Sequence, residues 1–508
     1  MNTRLASALA LLPVLAGCAT VMSPAASSAP ASALDALVAR APFKMTAVPL
    51  PSFPDRTFPI TDFGAVGDGR TVATAAIAKA IAACAAAGGG HVVIPAGLWL
   101  TGPIELRSNV DLHSERGALV QFTPDHTAYP MVEHGDRGYY AESALTGVGL
   151  RNVAVTGDGI FDGAGDTWRP ARKAKSTPAQ WQAFLARGGV VSADGADWWP
   201  TKEAMAGEDY LIRLGRETSH PTQEQLLPGR DFKRSPLLFL DRCEQVLIDG
   251  VTLRNSPSGV LEPTRCANLT VRSVTIFNEW WAQNGDGMDI NNCQNVLVYR
   301  CTVSAGDDGI CMKANGTQRP GEDAALRNVI VAECTVYHGH GGFVVGGATD
   351  AGMRNLWATA CDFVGTDVGI RIKSGLGHGG LVHEVTVDHI YMQDIVNDAI
   401  LFDTHYDNTP VSASTLKAPL SRDPGKTPEF RDFLIRDVYC LGAGTAISIT
   451  GLPQHPIHQG RMENIAITAR RGIHVTQAAD IVLKNVVVTT PETPAMTSKA
   501  TSNIQRLD

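Results

Sequence analysis

A short strand pattern, in which a glycine is followed by an apolar residue, any residue and a second apolar residue, occurs four times between residues 284 and 373. The four copies are Gly287–Ile290, Gly309–Met312, Gly342–Val345 and Gly369–Ile372. When the four copies are aligned at their glycines, polar side chains occur at equivalent positions. Each set of equivalent positions is called a column here. These side chains are Asp286, Asp289, Asp307, Asp308, Lys313, His340, Arg371 and Lys373. If each copy is one rung of a coil, the columns stack in space.

The acidic residues of this set predict acid/base chemistry. Asp286, Asp307 and Asp308 would place three carboxyl groups on two adjacent rungs. Close like charges cannot all ionise cheaply, so we expect at least one raised pKa and a protonated acid beside an ionised base. Glycoside hydrolysis uses such a pair, because an acid must protonate the leaving oxygen and a base must activate water. An isolated Asp-Asp-Gly is usually only a turn, but the register with a histidine and two cations favours a site.

The basic residues predict an acidic ligand. His340 stacks in the column of Asp307 one coil away, where a carboxyl neighbour would tune its protonation. Arg371 and Lys373 alternate with isoleucines and therefore share the outward face of one strand. Two adjacent cations repel each other unless an anion neutralises them, and Asp289, in the Arg371 column, is not on a neighbouring coil. We therefore expect a bound carboxylate there, which arginine can hold in bidentate geometry.

A second, longer pattern indicates the elements that position these side chains. Short stretches that begin with a polar residue and are rich in Val, Ile and Thr recur with a spacing of roughly 23 to 33 residues, the range typical of solenoids. They are Gln245–Ile248, Asn268–Val271, Asn295–Val298, Asn328–Val331, Asn355–Leu356, Glu384–Val387, Asp432–Ile435 and Asn464–Ile467. Their period-two alternation predicts an all-β fold, a parallel β-helix whose coils pair at about 4.8 Å.

The ten cysteines show no zinc-type spacing. Six occur at fixed positions relative to the longer repeat and are expected to be small buried side chains that fill the apolar core. These are Cys243, Cys266, Cys293, Cys301, Cys334 and Cys361.

One large domain is predicted for residues 56–495, since a solenoid grows by adding coils. The Ala-rich segment Thr74–Ala87 has one apolar face and predicts a helix that caps the open N-terminal end of the solenoid. Residues 163–236 interrupt the coil pattern and hold four of the eight tryptophans, and residues 404–428 interrupt it again. Long loops on a solenoid usually project on its binding face. Residues 496–508 are predicted to be a C-terminal tail.

The N-terminal residues predict export. Residues 1–18 resemble a secretory signal, with an arginine, an apolar run too short for a membrane span and then small residues. Their end resembles a bacterial lipobox, in which Cys18 would carry a lipid anchor, and ordinary cleavage at a small residue is the alternative. Residues 19–55 are predicted to be a flexible tether and lead-in. We expect an outer membrane-anchored lipoprotein, or a periplasmic or secreted protein, that is monomeric.

Four motifs carry a resemblance to a known family. Asn284-Gly285-Asp286-Gly287, Gly306-Asp307-Asp308, Gly339-His340-Gly341 and Arg371-Ile372-Lys373 resemble, in this order, the motifs of the polygalacturonases, glycoside hydrolase family 28. An Asp-Phe-Gly-Ala-Val-Gly-Asp-Gly start matches as well, and the resemblance extends over residues 56 to 490. The first motif departs from the plant and fungal pattern, which usually has Thr at the position of Gly285.

The resemblance implies a right-handed parallel β-helix that hydrolyses α-1,4-galacturonosyl bonds of pectin or oligogalacturonides with inversion. The residue roles that it implies are Asp307 as general acid, Asp286 and Asp308 as water-activating carboxylates, His340 as support for the acid's proton, Arg371 and Lys373 as ligands of the substrate carboxylate, and Asn284 as a sugar or carboxylate contact. It implies no metal and no other cofactor.

Several alternatives stay open. A net charge of −8 without a basic run argues against nucleic acid as a partner. A pectate lyase would need Ca²⁺ and an arginine base, and a non-catalytic carbohydrate-binding β-helix would not need three carboxylates together. Within the family, rhamnogalacturonan hydrolysis and endo action are the alternatives to exo-polygalacturonase. Exo action is favoured because the 163–236 insertion could wall off one end of the groove.

Overall fold

The computed structural model describes residues 31–133, 138–316, 324–406 and 425–508. Within these ranges, 31 strands join into one sheet of parallel pairs, which confirms the predicted parallel β-helix. The helices are α1 Ala31–Ala39, α2 Thr74–Ala86, α3 Pro178–Ala186, α4 Lys202–Glu217 and α5 Gln223–Leu226.

The first coils precede the insertion. Their strands are β1 Thr57–Pro59, β2 Asp68–Val72, β3 Gly90–Ile94, β4 Gly97–Thr101, β5 Ile104–Glu105, β6 Val110–Ser114, β7 Ala118–Phe122, β8 Met131–Glu133, β9 Tyr139–Ala141, β10 Leu145–Val148, β11 Arg151–Gly157 and β12 Ile160–Asp162. Of these, β8 and β9 form a separate antiparallel pair. The insertion contains α3, α4, α5 and a small antiparallel sheet of β13 Ala171–Arg172, β14 Val190–Val191 and β15 Asp197–Trp199.

The remaining strands continue the coil. They are β16 Leu238–Asp241, β17 Glu244–Asp249, β18 Thr252–Arg254, β19 Leu261–Thr264, β20 Ala267–Arg272, β21 Thr275–Phe277, β22 Met288–Asn291, β23 Gln294–Tyr299, β24 Thr302–Ser304, β25 Asp308–Lys313, β26 Leu326–Ala332, β27 Thr335–Tyr337, β28 Gly341–Gly346, β29 Met353–Val364, β30 Ile370–Lys373, β31 Leu381–Asp403, β32 Glu429–Thr450, β33 Ile457–Thr476, β34 Ala478–Thr489, β35 Met496–Lys499 and β36 Ser502–Leu507.

The register of these strands is the one that overlaying the glycines predicts. Met288 of β22 pairs with Ile310 of β25, and Ile310 pairs with Phe343 of β28. Phe343 in turn pairs with Ile370 of β30. The four copies of the pattern are therefore four consecutive rungs, and the polar columns stack.

An asparagine ladder explains why the longer repeat so often begins with Asn. Asn268, Asn295, Asn328 and Asn355 have φ values of 56°, 57°, 57° and 58°. Asparagine tolerates this left-handed conformation better than most residues because its short side chain can form local hydrogen bonds. Each amide donates to the asparagine of the previous coil, with Nδ2–Oδ1 distances of 3.2, 2.9 and 2.8 Å. The ladder stabilises a bend near the start of one strand in each of these coils.

The interior of the coil is apolar. The six cysteines predicted as fillers are buried and free.

Helix α2 covers the N-terminal end of the solenoid with Ile77, Ile81 and Cys84, which confirms the predicted cap. At the other end, β35 and β36 pair with β33 and β34. Residues 496–508, predicted as a tail, thus form part of the last coil, since Ile504 packs against the core.

The predicted signal sequence, Cys18 and the first part of the 19–55 tether lie outside the described residues. From Ala31 onward the lead-in is packed against the solenoid, because Leu34, Leu37 and Val38 cover an outer apolar face that includes Ile330 and Trp357. None of the helices in the described ranges is long and apolar enough to cross a membrane.

Candidate active site

The polar columns meet where the loops after β21 and β24 lead into β22 and β25. The backbone N–H of Gly287 donates to the carbonyl of Asp308 at 2.8 Å, and that of His340 donates to the carbonyl of Asp307 at 2.7 Å. Glycine is required at 287 because a Cβ there would lie 2.5 Å from the carbonyl oxygen of Gly309. The rungs therefore approach closely enough to bring the acids together.

Three carboxyl groups share this position, as the sequence predicted. Asp286, Asp307 and Asp308 each place an oxygen within 4.8 Å of the others. Asp308 is 2% exposed and Asp286 is 9% exposed, so neither charge is well solvated. Each carboxyl group instead faces a basic side chain of its own.

Lys313 is the partner of Asp286. Its Nζ donates to Asp286 Oδ2 at 3.1 Å and to Asp289 Oδ2 at 2.6 Å. Burial and the charge of Asp289 raise the pKa of Asp286 well above its usual range, in spite of Lys313. The sequence placed Lys313 and Asp289 in the polar columns without giving either a role. Asp289 and Lys313 lie two and four residues after the glycine, on one face of neighbouring rungs, and this position could have indicated the pairing.

Asp308 is held by two cations. Arg371 Nη1 donates to Asp308 Oδ1 at 3.1 Å, and Lys373 Nζ donates to Asp308 Oδ2 at 2.7 Å. Burial raises the pKa of Asp308, but Lys373 and Arg371 outweigh it and leave that pKa lowered. Asp308 is therefore the anion that neutralises the two cations, and the binding of a substrate carboxylate stays a prediction. Gly341 belongs to β28, the strand between β25 and β30, and its lack of a side chain leaves room for Arg371 to reach Asp308.

Tyr406 packs over the same two cations. Its ring centroid lies 5.6 Å from Arg371 Cζ and 4.6 Å from Lys373 Nζ. It belongs to the second predicted insertion, of which residues 407–424 lie outside the described ranges. The side chain of Lys373 is 4% exposed, whereas that of Arg371 is 17% exposed. Arg371 is therefore the more accessible of the two cations to a ligand.

Asp307 is paired with His340. The Nδ1 of His340 lies 2.9 Å from Asp307 Oδ1. Burial raises the pKa of Asp307, but the hydrogen bond and the charge of a protonated His340 outweigh it and lower that pKa. The Nε2 of His340 lies 2.8 Å from Lys175 Nζ, which comes from the insertion. This contact between Lys175 and the polar columns could not be predicted, because the insertion has no register with the coil.

Asn284 lies at the exposed rim of the site. Its Oδ1 accepts a hydrogen bond from Arg234 Nη2 at 3.3 Å, and the carbonyl of Gln283 accepts another at 3.3 Å. Arg234 is buried and forms no ion pair with a carboxylate within the described ranges, and burial lowers the pKa of Arg234 to about 10. A second, incompletely paired cation thus lies on the side of Asp286 opposite to Arg371.

The insertion is anchored beside the acids. Arg169 is 1% exposed and donates to Glu279 at 2.6 Å and to the carbonyl of Ser256 at 2.7 Å. Trp181 and Trp198 form an apolar cluster with Phe184 and do not offer open faces to a sugar, and Trp168 is buried in a second cluster. Trp280, in the loop before Asp286, is 44% exposed and was not predicted as a site residue.

The three carboxylates are close enough to share a metal ion. The cations Lys313, Arg371 and Lys373 already neutralise Asp286 and Asp308, and a divalent ion would have to lie among these positive charges. The donor set therefore fits proton transfer better than metal binding.

Comparison with known proteins shows what the chain is similar to. The family model described as glycosyl hydrolases family 28 matches residues 229–478. A model described as rhamnogalacturonase A/epimerase, pectate lyase-like, matches residues 57–119. An exo-poly-alpha-D-galacturonosidase of Dickeya chrysanthemi is 28% identical over 77% of this chain and 64% of that protein. The chain thus spans slightly less than two thirds of that relative.

Two solved structures share the fold. An exopolygalacturonase of Thermotoga maritima superimposes with a TM-score of 0.72 at 23% identity, covering 90% of this chain and 96% of that one. A family 28 exopolygalacturonase of Yersinia enterocolitica gives 0.71 at 21% identity, covering 89% of this chain and 78% of that one.

Proposed function

The chain belongs to glycosyl hydrolase family 28, and we propose that it hydrolyses α-1,4-galacturonosyl bonds of polygalacturonate, the acidic polymer of pectin. The observation that carries this proposal is the set of three carboxyl groups within 4.8 Å of one another, flanked by Arg371 and His340. The carboxyl groups supply acid/base chemistry, and the arginine supplies recognition of an acidic sugar.

In the proposed reaction, Asp307 donates its proton to the glycosidic oxygen as the bond from that oxygen to the anomeric carbon breaks. Water attacks the same carbon, and its proton passes to Asp286 or Asp308. His340 supports Asp307 through the Nδ1 contact. Because a cationic His340 would keep Asp307 ionised, the acid role requires a neutral imidazole.

The stereochemical outcome is proposed to be inversion. The carboxyl separation is shorter than the about 6.5–9.5 Å usual for inverting enzymes and is closer to the about 5–5.5 Å of retaining ones. Both oxygens of Asp308 are, however, occupied by cations, and Lys313 holds Asp286. Carboxylates held in this way are poor candidates for a covalent sugar ester and are better placed to accept a proton from water.

The substrate carboxylate is proposed to bind Arg371, whose side chain is more exposed than that of Lys373. Lys373, buried beneath Tyr406, would mainly hold Asp308 in place. Asn284, which is exposed and held by the buried Arg234, would contact the neighbouring sugar.

Exo action is proposed because the insertion reaches both sides of the acids. Lys175 contacts His340, Arg234 contacts Asn284, and Arg169 anchors the insertion to the loop before Asp286. The three relatives named above are exo-acting by name, which supports the same proposal.

The proposed function is tested by release of reducing ends from polygalacturonate. We expect release that a chelator does not reduce, no unsaturated product absorbing in the ultraviolet, and loss of activity by about 10²–10⁴-fold in Asp307→Asn. Chelator-sensitive cleavage with an unsaturated product would instead identify a lyase. Substrate binding without cleavage by the wild type would identify a non-catalytic binding protein.

We also propose export, with a lipid anchor at Cys18, and a monomeric state. Residues 1–30 lie outside the described ranges, so these proposals are supported by the sequence alone. Wild-type protein in the membrane fraction and Cys18→Ser protein in the soluble fraction are expected, and equal distribution of the two would refute the anchor. A mass of about one chain by light scattering would support the monomer, and a multiple of it would refute it.

A further inference from the structure

Lys175 connects the insertion to the catalytic histidine. It ends the short helical turn Lys173–Lys175, and its Nζ lies 2.8 Å from His340 Nε2. Burial lowers the pKa of Lys175, and the charges of Asp307 and Asp367 oppose that effect. This residue lies outside the four motifs, and its contact with His340 joins positions 165 residues apart.

The chemistry of the contact determines where the ring proton lies. An ammonium group has three donors and no acceptor, so a protonated Lys175 makes His340 Nε2 an acceptor. The single ring proton must then lie on Nδ1, from which it is donated to Asp307 Oδ1 at 2.9 Å. Lysine holds the shared proton in preference to histidine because the free side chains differ by about four pKa units.

Asp367 favours the opposite arrangement. Its Oδ2 lies 3.7 Å from His340 Nε2. Without Lys175, a proton on Nε2 could face Asp367, and His340 would become a cation between two carboxylates. The other charged groups near this pair are Arg172, which acts on Lys175, and Arg371, whose Nη1 donates to the His340 carbonyl at 3.3 Å.

We propose that Lys175 is a positioning residue that holds His340 neutral and protonated on Nδ1, so that Asp307 can carry the acid proton. The inference rests on the proposed hydrolysis of polygalacturonate. It also removes a conflict at the site. The low pKa of Asp307 arises largely from the hydrogen bond and charge of a cationic His340, and a neutral imidazole removes that charge.

The test compares pH profiles of kcat and KM on polygalacturonate for the wild type, Lys175→Met and Lys175→Arg. We expect Lys175→Met to lower kcat by about tenfold or more with little change in KM, since it impairs the acid. The acid must be protonated to act, so a lower pKa of Asp307 moves the alkaline limb to lower pH, by about one unit or more. Lys175→Arg keeps a cationic donor and should stay close to the wild type.

Two further variants make the test specific. Lys173→Met is the matched control, because Lys173 lies in the same turn but packs over Trp181 with its Nζ 5.8 Å from the ring centroid. It should leave kcat and the pH profile unchanged. Adding Asp367→Asn to Lys175→Met removes the second carboxylate. The double variant should regain part of kcat, and the alkaline limb of its pH profile should move back toward the wild-type position.

An unchanged kcat and pH profile in Lys175→Met, or an effect on KM alone, would overturn the inference while leaving the proposed function intact. Absence of hydrolysis by the wild type would instead overturn the proposed function.

Discussion

At the residue scale, each of the three acids has its own basic partner, and the pairing determines which acid can hold a proton. Asp286 is the acid whose pKa is raised, because it is buried beside Asp289. Asp308 is kept ionised by Lys373 and Arg371. In the proposed mechanism both activate water, so Asp286 must lose its proton before the enzyme is active.

Replacing Asp289 by Asn is expected to move the acidic limb of the pH profile to lower pH. The change removes the charge of Asp289, which raises the pKa of Asp286. It also leaves Asp286 as the carboxylate that pairs with Lys313, and both effects lower the pKa of Asp286. Since a base acts when ionised, activity is lost as pH falls through the pKa of Asp286, and a lower pKa extends activity downward. The measurement is kcat/KM against pH for Asp289→Asn and the wild type.

Asp158→Asn, at an exposed ion pair with Arg116, is the control for this profile and should leave both limbs in place. A shift of the alkaline limb in Asp289→Asn would show that Asp286 is the proton donor, which would contradict the assignment of Asp307.

Arg371→Ala and Lys373→Ala should separate binding from catalysis. Arg371→Ala is expected to raise KM for polygalacturonate, because a lost charge-assisted hydrogen bond costs about 1.5–3 kcal/mol. Lys373→Ala should mainly lower kcat, since Lys373 is buried and holds Asp308 at 2.7 Å. Steady-state kinetics of the two variants would show the split. An equal rise of KM in both, with kcat unchanged, would restore the simple carboxylate clamp that the sequence suggested.

At the element scale, the sequence predicted the parts of the site that repeat. The glycine pattern gave the rungs and the register of Asp307 with His340, because like positions stack when the period is regular. It could not predict contacts from segments without a period. Lys175 and Arg234 reach the acids from the insertion, and α1 packs on the outside of the coil.

Side-chain reach was also beyond the sequence. Arg371 and Asp308 lie on different rungs and different columns, and they meet only because Gly341 leaves the intervening space empty. Three tryptophans of the insertion form its apolar clusters, because a long insertion needs a core of its own.

The position of the insertion predicts the product pattern. If it closes one end of the groove, galacturonate or one short oligomer should appear from the first minutes, while the viscosity of the polymer falls slowly. Chromatography of early products together with viscometry would check this. Rapid loss of viscosity with mixed oligomers would rule out exo action.

Trimming residues 170–235 would remove Lys175 and Arg234 together and should therefore lower kcat as well as open the groove. The matched comparison is Lys175→Met in the intact chain, which should lower kcat without changing product size. Mixed oligomers from Lys175→Met would contradict the separation of these two roles.

At the scale of the whole molecule, a protein of net charge −8 is proposed to bind a polyanion. The stacked coils and the insertion place four basic side chains beside the three acids and His340, namely Lys175, Lys313, Arg371 and Lys373. The rest of the solenoid keeps neighbouring rungs in register through apolar stacking and the asparagine ladder.

Hydrolysis of galacturonosyl bonds by acid/base catalysis with inversion can be followed by proton NMR of the first products from a short oligogalacturonide. We expect a saturated sugar that appears first as the β-anomer and then mutarotates, and its formation should be slowed by about 10²–10⁴-fold in Asp307→Asn. Initial release of the α-anomer would contradict inversion, and an unsaturated product would contradict hydrolysis itself.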